Sequence, residues 1–192
     1  MNQRIAEASS QAVQLLEKFS RQQSEGVNQL AQKLSGTFAG GGQLLVAGSG
    51  TLQPLAQLLA SHFSFKLGFD RPVLPAVALG SDPVLAAAMV HSGQTEQLLA
   101  RHYRALNSAQ HLLLLLSDGS DQPALRAARD AALDNGQPVA LLSVRGEADP
   151  LCRDGVAICI DLATDSLSRG HELIFFVGHL LCELVESELF GV

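Results

Sequence analysis

Apolar positions in the first forty residues recur at helical spacing. Ile5, Ala8, Val13, Leu15, Leu16 and Phe19 mark one stripe; after the polar stretch RQQSEG (21–26), Val27, Leu30, Leu34 and Phe38 mark another. This pattern predicts a pair of helices over 1–40, closed by the glycine run at 40–42. From residue 43 the pattern changes. Short apolar runs at QLLVAG (43–48), RPVLPAVAL (71–79), HLLLLLS (111–117), PVALLSV (138–144) and VAICIDL (156–162) alternate with segments of helical spacing at 51–67, 82–90, 95–106 and 122–136. A last helix is predicted from about Ser168 to Leu189, apolar on most of its surface until Glu183. Strands alternating with helices imply right-handed crossovers. The expected fold is therefore one α/β domain over 1–192, a five-stranded doubly wound parallel sheet at 43–192 behind the N-terminal helices.

Composition narrows the class without changing that picture. The chain has 47% hydrophobic and 17% charged residues, which fits a folded globular domain rather than a disordered one. Its net charge of −6 opposes direct binding to a nucleic-acid backbone, which needs clustered cations. No stretch approaches the ~18 consecutive apolar residues of a membrane span, and the first 23 residues lack the apolar core of a secretion signal. Cys152, Cys159 and Cys182 are odd in number and lack CxxC spacing. They are expected to be reduced, mostly buried thiols of a cytoplasmic protein. The apolar N-terminal and C-terminal helices together predict a homo-oligomer.

The segment HLLLLLSDGSDQP (111–123) carries the chemistry. A buried strand, a small-residue loop and a helix start form an anion cradle from free backbone N–H groups and the helix dipole. Here the loop holds Asp118 and Asp121 instead of hydroxyls. Two carboxylates repel a phosphate dianion, and their expected role is to cap the helix that begins at Pro123.

Four stretches together resemble the sugar isomerase (SIS) domain family. The branch is that of phosphoheptose isomerases and DiaA-type initiator-associating proteins. They are LLVAGSGT, against the family's strand and GNGGS or GNGTS; RPVLPAVAL, against RPxLPAIAL; LLLLLSDGSDQPALRAA, against LLxISTSGNSxxVxxAxxAA; and SRGHELIFFVGHLLCELVESELFG, against ARIQExHxxxxHxLCDLIDxxLF. The resemblance implies a homotetramer with ligand loops at Gly48, Ser49, Gly50 and Thr51, and at Ser117, Asp118, Gly119, Ser120 and Asp121. It implies a sugar or sugar phosphate as ligand. The family's catalytic Glu falls on His62 and its catalytic His on His179, while two positions that bind zinc in some members fall on Leu58 and His171. No cofactor is expected. If a metal such as zinc is held, its candidate ligands are His62, His171 and His179, with His171 and His179 on one face of the last helix two turns apart. The family's GND after the second strand appears as His91–Gly93, Arg169 and Glu172 are retained as an ion pair, and Asp82 is read as a helix cap.

With the catalytic Glu replaced and the cradle acidic, the expectation is a non-catalytic binding or regulatory module. Its most concrete form is a DiaA-like adaptor in replication initiation that docks a DnaA-like initiator through Leu189 and Phe190. The alternatives are an active aldose–ketose isomerase using His62 and His179, and a sensor of an unphosphorylated sugar.

Overall fold

The computed structural model describes residues 1–48, 50–106, 110–153 and 155–191. Ser49, a ligand-loop candidate, lies outside the described residues. Helix α1 (Asn2–Ala39) leads into strand β1 (Gln43–Gly48), helix α2 (Gln53–Ser64), strand β2 (Ala76–Ala78) and helices α3 (Pro83–His91) and α4 (Leu98–Ala105). Strand β3 (His111–Ser117), helix α5 (Pro123–Asp134), strands β4 (Val139–Ser143) and β5 (Val156–Asp161), and helix α6 (Leu167–Phe190) follow. The five strands form one parallel sheet in the order β2-β1-β3-β4-β5.

The expected helical pair is instead one continuous helix of 38 residues. The stretch 21–26 contains no proline, and a lone Gly26 costs a helix only about 1 kcal/mol. Pairs one turn apart, Glu17 with Arg21 and Glu25 with Gln29, bridge the polar stretch. Only the second half is fully packed: Phe19, Val27, Leu30, Leu34 and Phe38 are buried, whereas Ile5 and Val13 are more than half exposed.

Strand β3 sits at the centre of the sheet and shows how the domain is layered. Leu112, Leu114 and Leu116 join the core beneath α1, α2 and α6, whereas Leu113 and Leu115 join the core beneath α4 and α5. A strand with two buried faces must be apolar at every position, which explains its leucine run. Strand β2 is shorter than the expected 71–79 because Pro72 and Pro75 have no N–H for a ladder.

Cys152 and Cys159 are joined by a disulfide, which corrects the expectation of three reduced thiols. The chain turns back between β4 and β5 and brings their Cα atoms to 6.3 Å, within bridging range without any CxxC spacing. Both are half-buried; only Cys182 is a free, buried thiol. Among the described residues, no helix is long and apolar enough to cross a membrane.

Candidate functional site

Strand order places the site. Between β1 and β3 the chain's crossovers diverge to opposite edges, and ligands of open α/β sheets bind outside the carboxyl ends of the strands at such a point. Gly48 pairs with Leu116 in register, so the loops after β1 and β3 lie side by side. Gly48 has no substitute there, because a Cβ would overlap the Leu52 backbone as the chain turns into α2.

The β3–α5 loop is folded around its own carboxylate. Asp118 Oδ1 accepts from the Ser120 N–H at 2.9 Å, the Ser120 hydroxyl at 2.6 Å and the Gln122 amide at 2.5 Å. The Gly119 N–H donates to Ser117 Oγ at 3.0 Å. Burial alone would raise the Asp118 carboxyl, but the bonds from Ser120 and Gln122 outweigh it and hold the group below the usual carboxylate range. Gly119 takes a left-handed φ of +80°, and the stem of Arg145 lies where a Cβ would stand. The expected capping role is not what forms. Gln122 occupies the N-cap of α5 without a side-chain cap bond, Asp118 serves its own loop, and Asp121 pairs with Arg126 at 2.6 Å. Asp82 does cap α3, accepting from the Val84 and Leu85 N–H groups.

A second cluster lies along the seam between α2 and α6, which run in the same direction. At its head Thr51 Oγ1 lies 3.4 Å from His171 Nε2. Further down, Gly178 admits Leu59 against the α6 backbone. Below that, His62 Nε2 and His179 Nε2 meet at 3.2 Å. One nitrogen must donate and the other accept, so the contact holds a single N–H between the two rings. The rings border a narrow apolar cleft with Leu55, Leu59, Ile174, Phe175 and Gly178, and the Phe175 ring is tilted 58° to the His179 ring with their centroids 4.1 Å apart. Burial, and next the neighbouring His179, push the His62 imidazole below the ordinary histidine value, which favours its neutral form near pH 7.

The three histidines do not converge within one chain. His171 and His179 are separated by eight residues, about 12 Å along a helix axis, and His171 is engaged with Thr51. Among the described residues, no three His, Cys, Asp or Glu side chains approach closely enough to hold a metal. An aliphatic Leu58 stands at a position where the family resemblance implies a ligand. Among the described residues, the side chains of one chain therefore do not assemble a zinc site. Arg169 and Glu172 form their ion pair on the first turns of α6. Leu189 and Phe190 are half-buried against the chain's own core, Phe190 edge-on to Phe69 at 6.1 Å. Glu186, which in the sequence flanks that pair, is buried and paired with Arg71 at 2.6 Å.

No family model matches the chain. It is 33% identical to the phosphoheptose isomerase of Burkholderia pseudomallei over 167 residues, 86% of this chain and 83% of that protein. It is 31% identical to the phosphoheptose isomerase of Methylococcus capsulatus over 163 residues, 84% and 83% of the two chains. The chain belongs to the SIS-domain, phosphoheptose isomerase-type family. Its fold matches a phosphoheptose isomerase structure from Francisella tularensis with a TM-score of 0.87 at 23% identity, over 96% of this chain and 97% of that one.

The cluster that sequence reasoning missed is Arg71, Cys182 and Glu186. The Arg71 side chain is 0% exposed and Glu186 5%. A signal was present: Glu186 is an acid on the apolar stripe of a buried helix, and such a charge needs a cation.

Proposed function

We propose that this protein is an aldose–ketose isomerase of sugars in which two histidines, His62 and His179, replace the usual carboxylate–imidazole pair. The contact that carries this reading is the 3.2 Å approach of their Nε2 atoms beside an apolar pocket. Moving a proton between adjacent sugar carbons needs one group that accepts from carbon and one that donates to oxygen. A pair sharing one N–H supplies a bare nitrogen and a protonated one at once. The substrate's reacting carbons and oxygens would separate the two rings and take the place of their mutual bond. The exposed apolar residues of α2 and α6, Leu58, Phe175 and Phe176, support an oligomer as the active unit.

The test is incubation of the purified chain with sedoheptulose 7-phosphate, and separately with unphosphorylated sedoheptulose, in deuterated water under NMR. Conversion or solvent-deuterium uptake at carbon is expected, falling by about 10²–10⁴-fold in His62→Ala and in His179→Ala. No exchange with either sugar, or exchange indifferent to both substitutions, overturns the reading.

One observation favours a second reading, a binding module without turnover: Asp118 already occupies the loop that would hold a phosphate. Saturable binding of an unphosphorylated sugar without exchange at carbon would support it.

A further inference from the structure

We propose that Arg71 is the positioning residue of the His62–His179 pair, bolting the last turn of α2, which carries His62, to the stripe of α6 that carries His179. The last carbonyls of a helix have no partner within it. At the end of α2 Arg71 Nη2 donates to the His62 carbonyl at 2.8 Å and Nη1 to the Phe63 carbonyl at 2.9 Å, which also takes the Leu74 N–H at 3.3 Å. Nη1 also reaches the Pro72 carbonyl at 3.1 Å. The same guanidinium turns to α6, with Nε on Glu186 Oε1 at 2.6 Å and Nη2 3.8 Å from Cys182 Sγ. His179, Cys182 and Glu186 follow one another at spacings of three and four residues, so they share one face of α6. One rigid, planar fork thus spans both helices immediately beside the rings.

The neighbours agree with this role. The Cys182 thiol lies 3.8 Å from the same His62 carbonyl. Burial first, and then Glu186, push that thiol up to about 12, so it stays neutral beside the ion pair. The charged and titratable groups facing His62 across the seam are then His179, Arg71, Glu186 and this thiol. Glu186 compensates the guanidinium, which could not otherwise remain buried. A simple helix end would need only water at its carbonyls. Here they are fixed to the partner helix, and a misplacement of about 1 Å can cost an acid–base step on the order of 100-fold.

The part of this inference that concerns turnover rests on the proposed isomerase; the geometry of the pair does not. The decisive variant, in the full chain, is Arg71→Met combined with Glu186→Met, which removes both buried charges together and leaves neither unpaired. Thermal unfolding and gel filtration check the fold, and imidazole ¹H–¹⁵N spectra report the N–H shared by the two rings. The expected result is a folded variant that has lost the shared-proton resonance, with kcat down by about tenfold or more and KM within a few-fold. A folded variant whose His62 and His179 resonances match the parent overturns the proposal. Should the double variant not fold, Arg71→Lys decides: its ammonium keeps Glu186 but cannot reach both carbonyls. A weakened shared-proton resonance in Arg71→Lys supports the brace, and an unchanged one overturns it. Absence of turnover in the parent chain defeats the isomerase alone, because the spectra read the pair without it.

Discussion

Replacing Asp118 by serine tests whether the β3–α5 loop carries its own anion in place of a ligand's. In the parent, the Ser120 N–H, the Ser120 hydroxyl and the Gln122 amide all point at Asp118 Oδ1. A phosphate entering the crevice meets donors already engaged and a fixed negative charge. Unit charges about 4 Å apart interact by about 1 kcal/mol at the dielectric of water and about 4 kcal/mol near a protein surface. Asp118 is only partly buried, so screening places its repulsion towards the lower end, about 1–2 kcal/mol. A restored hydroxyl adds a hydrogen bond to a charged oxygen, worth about 1.5 kcal/mol. Asp118→Ser should therefore tighten inorganic phosphate or sugar phosphate by about 3 kcal/mol, roughly 100-fold in Kd. Calorimetry or NMR titration at low salt measures it directly. The pH dependence gives an internal control. The folded Asp118 carboxyl lies below the usual range, so the group stays charged at pH 5 and the parent's affinity does not recover on mild acidification. Micromolar phosphate binding by the parent, or an Asp118→Ser variant no tighter than the parent, would refute the reasoning.

Two further outcomes are expected. Thiol titration of the denatured, unreduced chain should find one reactive cysteine, Cys182, rising to three after reduction, and the native chain none. Two or more thiols before reduction would contradict the Cys152–Cys159 bridge. Thermal stability should fall as pH drops from neutrality. Burial holds His62 and His111 below the ordinary histidine value of 6.5, so the unfolded chain takes up protons first. Their contribution is fully present above that value and is lost as pH falls through it towards the folded values. A Tm constant between pH 7 and 5 would show that neither ring is desolvated, and His111→Gln should flatten part of the slope.

Much of the fold was legible because two-sided burial writes itself into a strand. HLLLLLS has no polar position between His111 and Ser117, so it reads as central, and it is. What misled was local chemistry read without its tertiary setting. A polar stretch with one glycine looked like a break, yet packing of Phe19 and Val27 on either side carries α1 straight through it. Two cysteines seven residues apart looked like separate thiols, yet the return between β4 and β5 joins them. Both errors share a cause: local propensity is weak beside contacts made elsewhere in the chain.

The candidate site divides in the same way. Its two loops follow from strand–loop–helix patterns, and the His62–His179 meeting follows from family spacing. The hydrogen bonds that give these residues their chemistry do not. Asp118 could have capped α5, and only the path of the loop turns it inward to Ser120 and Gln122. Arg71 sits just before Pro72, nine residues after His62 but far from His179 in sequence, and only the packing of α2 on α6 brings it to both helices. In the proposed isomerase, Asp118 governs which terminal group the loop admits, while Arg71 governs whether the rings meet. A chain that had lost all chemistry would need to retain neither the buried Arg71–Glu186 pair nor two half-buried imidazoles in contact. Keeping buried charges and rings together has a desolvation cost that apolar side chains would avoid. For the isomerase proposed above, the acidic loop and the paired imidazoles together call for a changed ligand at the His62–His179 pair.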